Sequence, residues 1–128
     1  MDTKKGYIGN IEKETLENEY FRKVIFTGPQ SQLVVMALKP GEEIGMEKHQ
    51  GTDQFIRIEV GEAKVILDGE ENQVKDDFAI VIPAGTYHNI INTSPDKSLK
   101  LYTVYAPPEH TPGTIHKTKA EADLAHGH

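Results

Sequence analysis

Between residues 21 and 105 the chain is a succession of short β-rich runs separated at close intervals by turn residues, and that punctuation restricts its fold more than any other feature. The runs are 21–27, 32–38, 54–60, 63–67, 78–82, 88–92 and 99–105. Gly28-Pro29, Pro40-Gly41, Gly61, Asp68-Gly69, Pro83-Ala84-Gly85 and Ser94-Pro95 stand between or within them, and all are turn formers. Runs of this length and spacing predict an all-β antiparallel sandwich or barrel. Asp68-Gly69 is the strongest local signal. Both central residues of a type I′ turn need positive φ, so 63–67 and 71–74 are expected to pair as a hairpin.

One domain is expected, because a chain of 128 residues buries roughly two-thirds of its unfolded surface in a single core. Residues 1–20 read as a charged arm or short helix, 21–108 as the β-barrel, and 109–128 as a C-terminal tail. In the tail, Thr118-Lys119-Ala120-Glu121 has the form of a capping box, so a short helix from about Lys119 to Leu124 should follow and end near Gly127.

No apolar run approaches the roughly 18 to 20 residues that a bilayer crossing requires, and Met1 to Gly6 leads into no apolar signal segment. Neither membrane insertion nor secretion is therefore expected. Cysteine is absent, which excludes disulfides, thiolate catalysis and Cys-ligated zinc and makes the cytoplasm the expected compartment. The formal charge is −6 and no basic stripe is present, so nucleic acid is not an expected partner.

Of six histidines, four lie at or beyond His110, and His49 and His88 stand in the β-rich body. In an extended segment Glu47 and His49 leave the same face. Gln54 shares a strand face with Ile56, Ile58 and Val60, and a buried amide among apolar residues must find partners. His88 shares its face with Ile90 and Asn92. Both histidines are thus expected to look into one core. Arg57 and Glu59 alternate to the opposite face, as a solvated or interface pair. His110 and His116 read as surface, and His126 and His128 as tail.

These positions resemble the two motifs of the cupins. Gly41, five residues, Glu47-Lys48-His49, four residues, Gln54, six residues and Gly61 follow the spacing of the first. Asp77, five residues, Pro83-Ala84-Gly85, two residues, His88, three residues and Asn92 follow that of the second. The chain departs from the pattern where Glu47 replaces the first His, Gln54 the usual Glu, and Asp77 a turn Gly. Residues 53–57 and 116–121 also look like those of short single-domain cupins labelled as related to mannose-6-phosphate isomerase.

The resemblance implies a cupin-type double-stranded β-helix, a small jelly-roll barrel, with one divalent ion (Fe, Mn, Ni or Zn) held by Glu47, His49, Gln54 and His88. Imidazole with hard oxygen donors suits any of these ions. It further implies a metalloenzyme acting on a small sugar-like or oxygen-rich substrate by isomerase or lyase chemistry, with Glu47 as ligand or general base. Fe-dependent dioxygenase chemistry is the second enzymatic option, and a non-catalytic small-molecule-binding or sensory module is the alternative. Tyr87, Tyr102 and Asn92 are the expected substrate-side residues, with Tyr105 beside them at the barrel mouth. A homodimer is expected through an exposed edge of the N-terminal strand, with the arm contributing.

Overall fold

The computed structural model describes residues 5–125, so the expected helix end at Gly127 and the tail histidines His126 and His128 lie outside the described residues. In chain order the elements are α1 (Ile11–Glu17), β1 (Arg22–Thr27), β2 (Gln32–Leu38), β3 (Asp53–Val60), β4 (Glu62–Leu67), β5 (Glu70–Lys75), β6 (Ala79–Ile82), β7 (His88–Asn92), β8 (Leu99–Ala106), β9 (Ile115–His116) and α2 (Lys119–Ala125). Every expected run became a strand with ends within a residue. The two-residue β9 was not expected, since so short a segment carries no period to read.

The strands form two antiparallel sheets, one ordered β6-β3-β8-β2-β1-β9 and the other β5-β4-β7. Inward-facing Ile56, Ile58, Leu99 and Leu101 of the large sheet share one buried core with Ala63, Val65 and Ile90 of the small one. This is the expected all-β jelly roll with a short C-terminal helix. The Asp68-Gly69 hairpin forms as its chemistry requires: Leu67 faces Glu70 across the turn, and both turn residues take positive φ, 47° and 85°. Gly61 joins β3 to β4 at φ 117°, where a Cβ would stand 3.1 Å from the backbone of Leu99, so a larger residue would be strained at the corner.

Residues 41–47 lie along the free edge of β7 and extend the small sheet. Glu43 bridges Ile91 and Glu47 bridges His88, the latter pair exchanging both backbone hydrogen bonds at 2.8 Å. Directly opposed antiparallel residues project from the same face, so this register sets Glu47 beside His88.

The N-terminal arm is a helix capped by Asn10, whose side chain accepts from the Lys13 amide at 3.0 Å. It lies across the outer face of the large sheet. There Lys100 of β8 donates to the Leu16 carbonyl and to Glu19, at 2.7 and 2.8 Å. The edge of β1 expected to be exposed is instead paired with β9 at Arg22 and Lys23. The capping residues of α2 also differ in detail. Thr118 accepts from the Glu121 amide at 3.1 Å, but the Glu121 carboxylate reaches one residue further back, to the Lys117 amide at 3.0 Å.

No helix among the described residues is long and apolar enough to cross a membrane.

Candidate metal centre

Two separate stretches of chain place the first ligand candidates. Glu47 and His49 come from the segment that borders β7, and His88 is the first residue of β7 itself. The Gly85 amide donates to the His49 carbonyl at 2.8 Å, which fixes the Pro83-Ala84-Gly85 turn against His49. The side-chain ligand atoms of Glu47, His49 and His88 all fall within 4.8 Å of one another, and the two imidazole centroids are 5.2 Å apart.

The protonation pattern of this group follows from its partners. His88 Nδ1 lies 2.9 Å from the Thr86 carbonyl, which can only accept, so Nδ1 carries the proton and Nε2 the lone pair. His49 Nδ1 lies 3.4 Å from the Glu109 carboxylate, which likewise favours the proton there. Both Nε2 atoms are buried and without a hydrogen-bond partner.

Gln54 adds an oxygen of the same kind. Thr103 donates its hydroxyl proton to the Phe55 carbonyl at 2.8 Å and so must accept from the Gln54 amide nitrogen at 3.0 Å. That orients the amide and leaves Gln54 Oε1 buried with no partner. A buried acceptor left unsatisfied costs on the order of 1–3 kcal/mol, so three of them in one core call for a bound water, ion or ligand.

A divalent cation would give the two imidazole nitrogens the partner they lack. His49 Nε2 and Glu47 Oε1 are 3.9 Å apart, less than two metal–ligand bonds of about 2.1 Å each, so one ion can touch both. Glu47 keeps its side chain 24% exposed, which gives the group an opening to solvent, whereas His88 is buried.

The other expected site residues separate by strand parity. Tyr105 lies in the inward row of β8, buried, with its ring edge-on to His49 at 5.8 Å. Burial pushes its phenol well above the ordinary tyrosine value, while nearby Arg22 pulls it down. Tyr102, three residues earlier, falls in the opposite row and packs on Phe55 at 6.3 Å, so the structure does not bring it into the site. Tyr87 is 53% exposed, with the Lys48 ammonium 4.8 Å over its ring, and it too stands outside the cluster. Asn92 is buried, its amide nitrogen facing the Leu38, Lys39 and Lys97 carbonyls and its oxygen accepting from the Ser94 amide. These contacts hold the loops at the far end of β7. Arg57 is on the outward row as expected, paired with Asp77 at 3.0 Å and Glu59 at 3.4 Å.

Glu109 carries no local sequence signal, and His110, expected at the surface, is half-buried against Tyr105. The buried Gln32 accounts for both. Its Oε1 accepts from the Glu109 and His110 amides at 3.2 and 2.9 Å, and its amide nitrogen donates to the His110 carbonyl at 2.7 Å. This clamp turns the chain back after β8, bringing the Glu109 carboxylate to His49 and the His110 ring to Tyr105 at 5.0 Å. A glutamine at the head of an otherwise apolar strand was the available sign. Arg22, buried in the inward row of β1, was likewise legible only as a cation out of place in that row.

Known proteins share this architecture. The chain is 47% identical to the uncharacterized protein YrkC of Bacillus subtilis over 94% of its own length and 68% of that protein's. An uncharacterized protein of Acanthamoeba polyphaga mimivirus is 50% identical over 85% of this chain and 70% of the relative. The crystal structure of BH2720 from Bacillus halodurans is similar at a TM-score of 0.92 and 43% identity, covering 95% of this chain and 96% of that one. Residues 34–105, more than half of the chain, match the cupin domain, and they carry both motifs with the cluster built from them, so the chain belongs to the cupin family.

Proposed function

We propose that this cupin binds one divalent ion through Glu47, His49 and His88, with Gln54 Oε1 as a fourth oxygen donor, and uses it as an enzyme on a small oxygen-rich molecule. The observation that carries this reading is the set of three buried acceptors without partners, beside a carboxylate with access to solvent. Such an ion, when bound, acts as a Lewis acid on a carbonyl oxygen. Glu109 and the Thr86 carbonyl hold the two imidazoles with Nε2 turned to the cluster, a role that orienting partners commonly play around metal ligands. Glu47, as the most accessible of the group, is the residue suited, once released from the ion, to take a proton from a carbon next to that carbonyl. The chemistry is then isomerisation or elimination on a sugar-like acid or ketose, in line with the likeness to cupins labelled mannose-6-phosphate isomerase-like.

A second reading is favoured by the donor set itself. Two histidines and one carboxylate with open positions form the ligand set of many non-haem Fe(II) oxygenases. Metal analysis of protein purified without chelator separates the two. About one equivalent of manganese, nickel or zinc, lost in His49→Ala, supports the first reading, and iron directs the assay to oxygen consumption. No ion, or an unchanged amount in His49→Ala, would leave a metal-free binding module instead.

We also propose self-association as a homodimer. With β1 partnered by β9, support moves to β6, an edge strand with Val81 64% exposed and Phe78 43% exposed beside it. A monomeric mass by light scattering at micromolar concentration would refute it.

A further inference from the structure

Among the described residues two Lys or Arg side chains are nearly enclosed, Lys100 and Arg22. Lys100 is answered by Glu19 at 2.8 Å. Arg22, only 2% exposed, forms no ion pair with a carboxylate of the described residues. Its neighbours are His116 Nδ1 at 3.2 Å, the Phe21 ring at 5.3 Å and the phenol of Tyr105, and its Nε is buried without a hydrogen-bond partner. A guanidinium taken out of water needs an anion, because its solvation must be replaced by something of opposite charge.

Arg22 lines a cleft of about 220 Å³ that also reaches Glu47, Lys119 and Asp123, the last two paired at 2.6 Å and so cancelling in charge. Tyr105 stands between Arg22 and His49, so the guanidinium is one side chain from the metal cluster. Charge decides what belongs there. Glu47 and Glu109 contribute two negative charges, a divalent ion two positive and Arg22 one more, so the loaded site carries a net +1. A carboxylate closes that balance, and a phosphate dianion exceeds it. Neither Arg22 nor Lys119 lies within residues 34–105 matched to the cupin domain, so this feature comes from the flanks of the chain.

We propose that Arg22 is the carboxylate-binding residue of the site and that the substrate is a small hydroxy or keto acid. Its carboxylate sits on the guanidinium, and its hydroxyl or keto oxygen is directed to the metal cluster. The proposal rests on the metal-binding reading above, so the test measures the two separately. Calorimetric titration of Mn(II) alone into chelator-treated wild type comes first. Glycolate is then titrated into the Mn(II)-loaded protein, against ethylene glycol as its uncharged counterpart and inorganic phosphate as the dianion. The wild type should bind glycolate more tightly than either. Arg22→Gln should keep its Mn(II) uptake and lose glycolate affinity by about tenfold or more, the scale of a charge-assisted contact, with Arg22→Lys in between.

Glycolate binding no better than ethylene glycol or phosphate in wild type overturns the proposal and leaves the metal site standing. Equal glycolate affinity in Arg22→Gln does the same. If Arg22→Gln does not fold, Arg22→Lys decides in its place, and glycolate affinity equal to wild type there overturns the proposal. A wild type that takes up no Mn(II) removes the metal reading, and this proposal with it.

Discussion

Replacing Asn92 separates a structural duty from a substrate-binding one. Its side chain is 1% exposed and faces four backbone groups: the carbonyls of Leu38, Lys39 and Lys97 at 3.0, 3.1 and 2.9 Å, and the Ser94 amide at 2.9 Å. Two of those contacts, with Leu38 and Ser94, are fully buried, so Asn92→Ala leaves two groups that water cannot reach. At roughly 1–3 kcal/mol for each unsatisfied buried group, the expected loss is about 3 kcal/mol. Asn92→Asp should be worse at neutral pH, because it sets a carboxylate against three carbonyls. The chain has no tryptophan, so urea unfolding is best followed by far-ultraviolet circular dichroism. With a urea slope of about 2 kcal/mol/M for a domain of this size, the midpoint of Asn92→Ala should fall by roughly 1.5 M. Metal uptake by the folded fraction should persist, since Asn92 touches none of the three clustered ligands. A loss below about 1 kcal/mol, accompanied by weakened ligand binding, would refute the structural assignment and return Asn92 to the substrate side.

Three further outcomes follow from the same geometry. Glu109→Gln removes the charge beside His49 Nδ1 and should weaken metal affinity by about ten- to a hundredfold while leaving the circular dichroism spectrum unchanged; a competition titration with a chromogenic chelator measures it. Gln32→Met releases the clamp on residues 109–110 and should reproduce part of that affinity loss together with a lower unfolding midpoint, whereas full affinity would show that Glu109 is placed by other contacts. Chelation of the ion should lower the melting temperature. Metal present at a hundredfold over its dissociation constant adds about 2.7 kcal/mol, which for a domain of this length is roughly 10 °C in a melting scan with and without chelator.

Much of this arrangement was legible because strand parity is strict. The alternation that put Gln54 with Ile56 and Ile58, and His88 with Ile90 and Asn92, holds in the structure, and Asp68-Gly69 sets the register of β4 against β5. Parity also shows why Tyr102 and Tyr105 part company: three residues apart in a strand, they face opposite ways. What escaped was contact between residues distant in sequence. Glu109 reaches His49 only because Gln32, 77 positions earlier, holds its backbone, and no period within 107–112 encodes that. Likewise, β9 exists because β1 offers an unpaired edge, not because Ile115-His116 has a preference strong enough to form a strand alone.

The origin of the ligands also says how an ion would act on the fold. Glu47 and His88 belong to the small sheet and Gln54 to β3 of the large one, while Glu109 follows β8. An ion bound by the first three is therefore a cross-link between the sheets, at the end of the core opposite Gly61 and the Asn92 contacts. Metal stabilisation should then be concentrated where the sheets meet. Hydrogen exchange with and without metal checks this, since amides of Glu47 and His88 ought to gain protection while those of β5, an edge strand paired with β4 alone, do not. Uniform protection across both regions would mean that the ion acts on global unfolding alone, and no added protection at Glu47 and His88 would place it somewhere other than between the sheets.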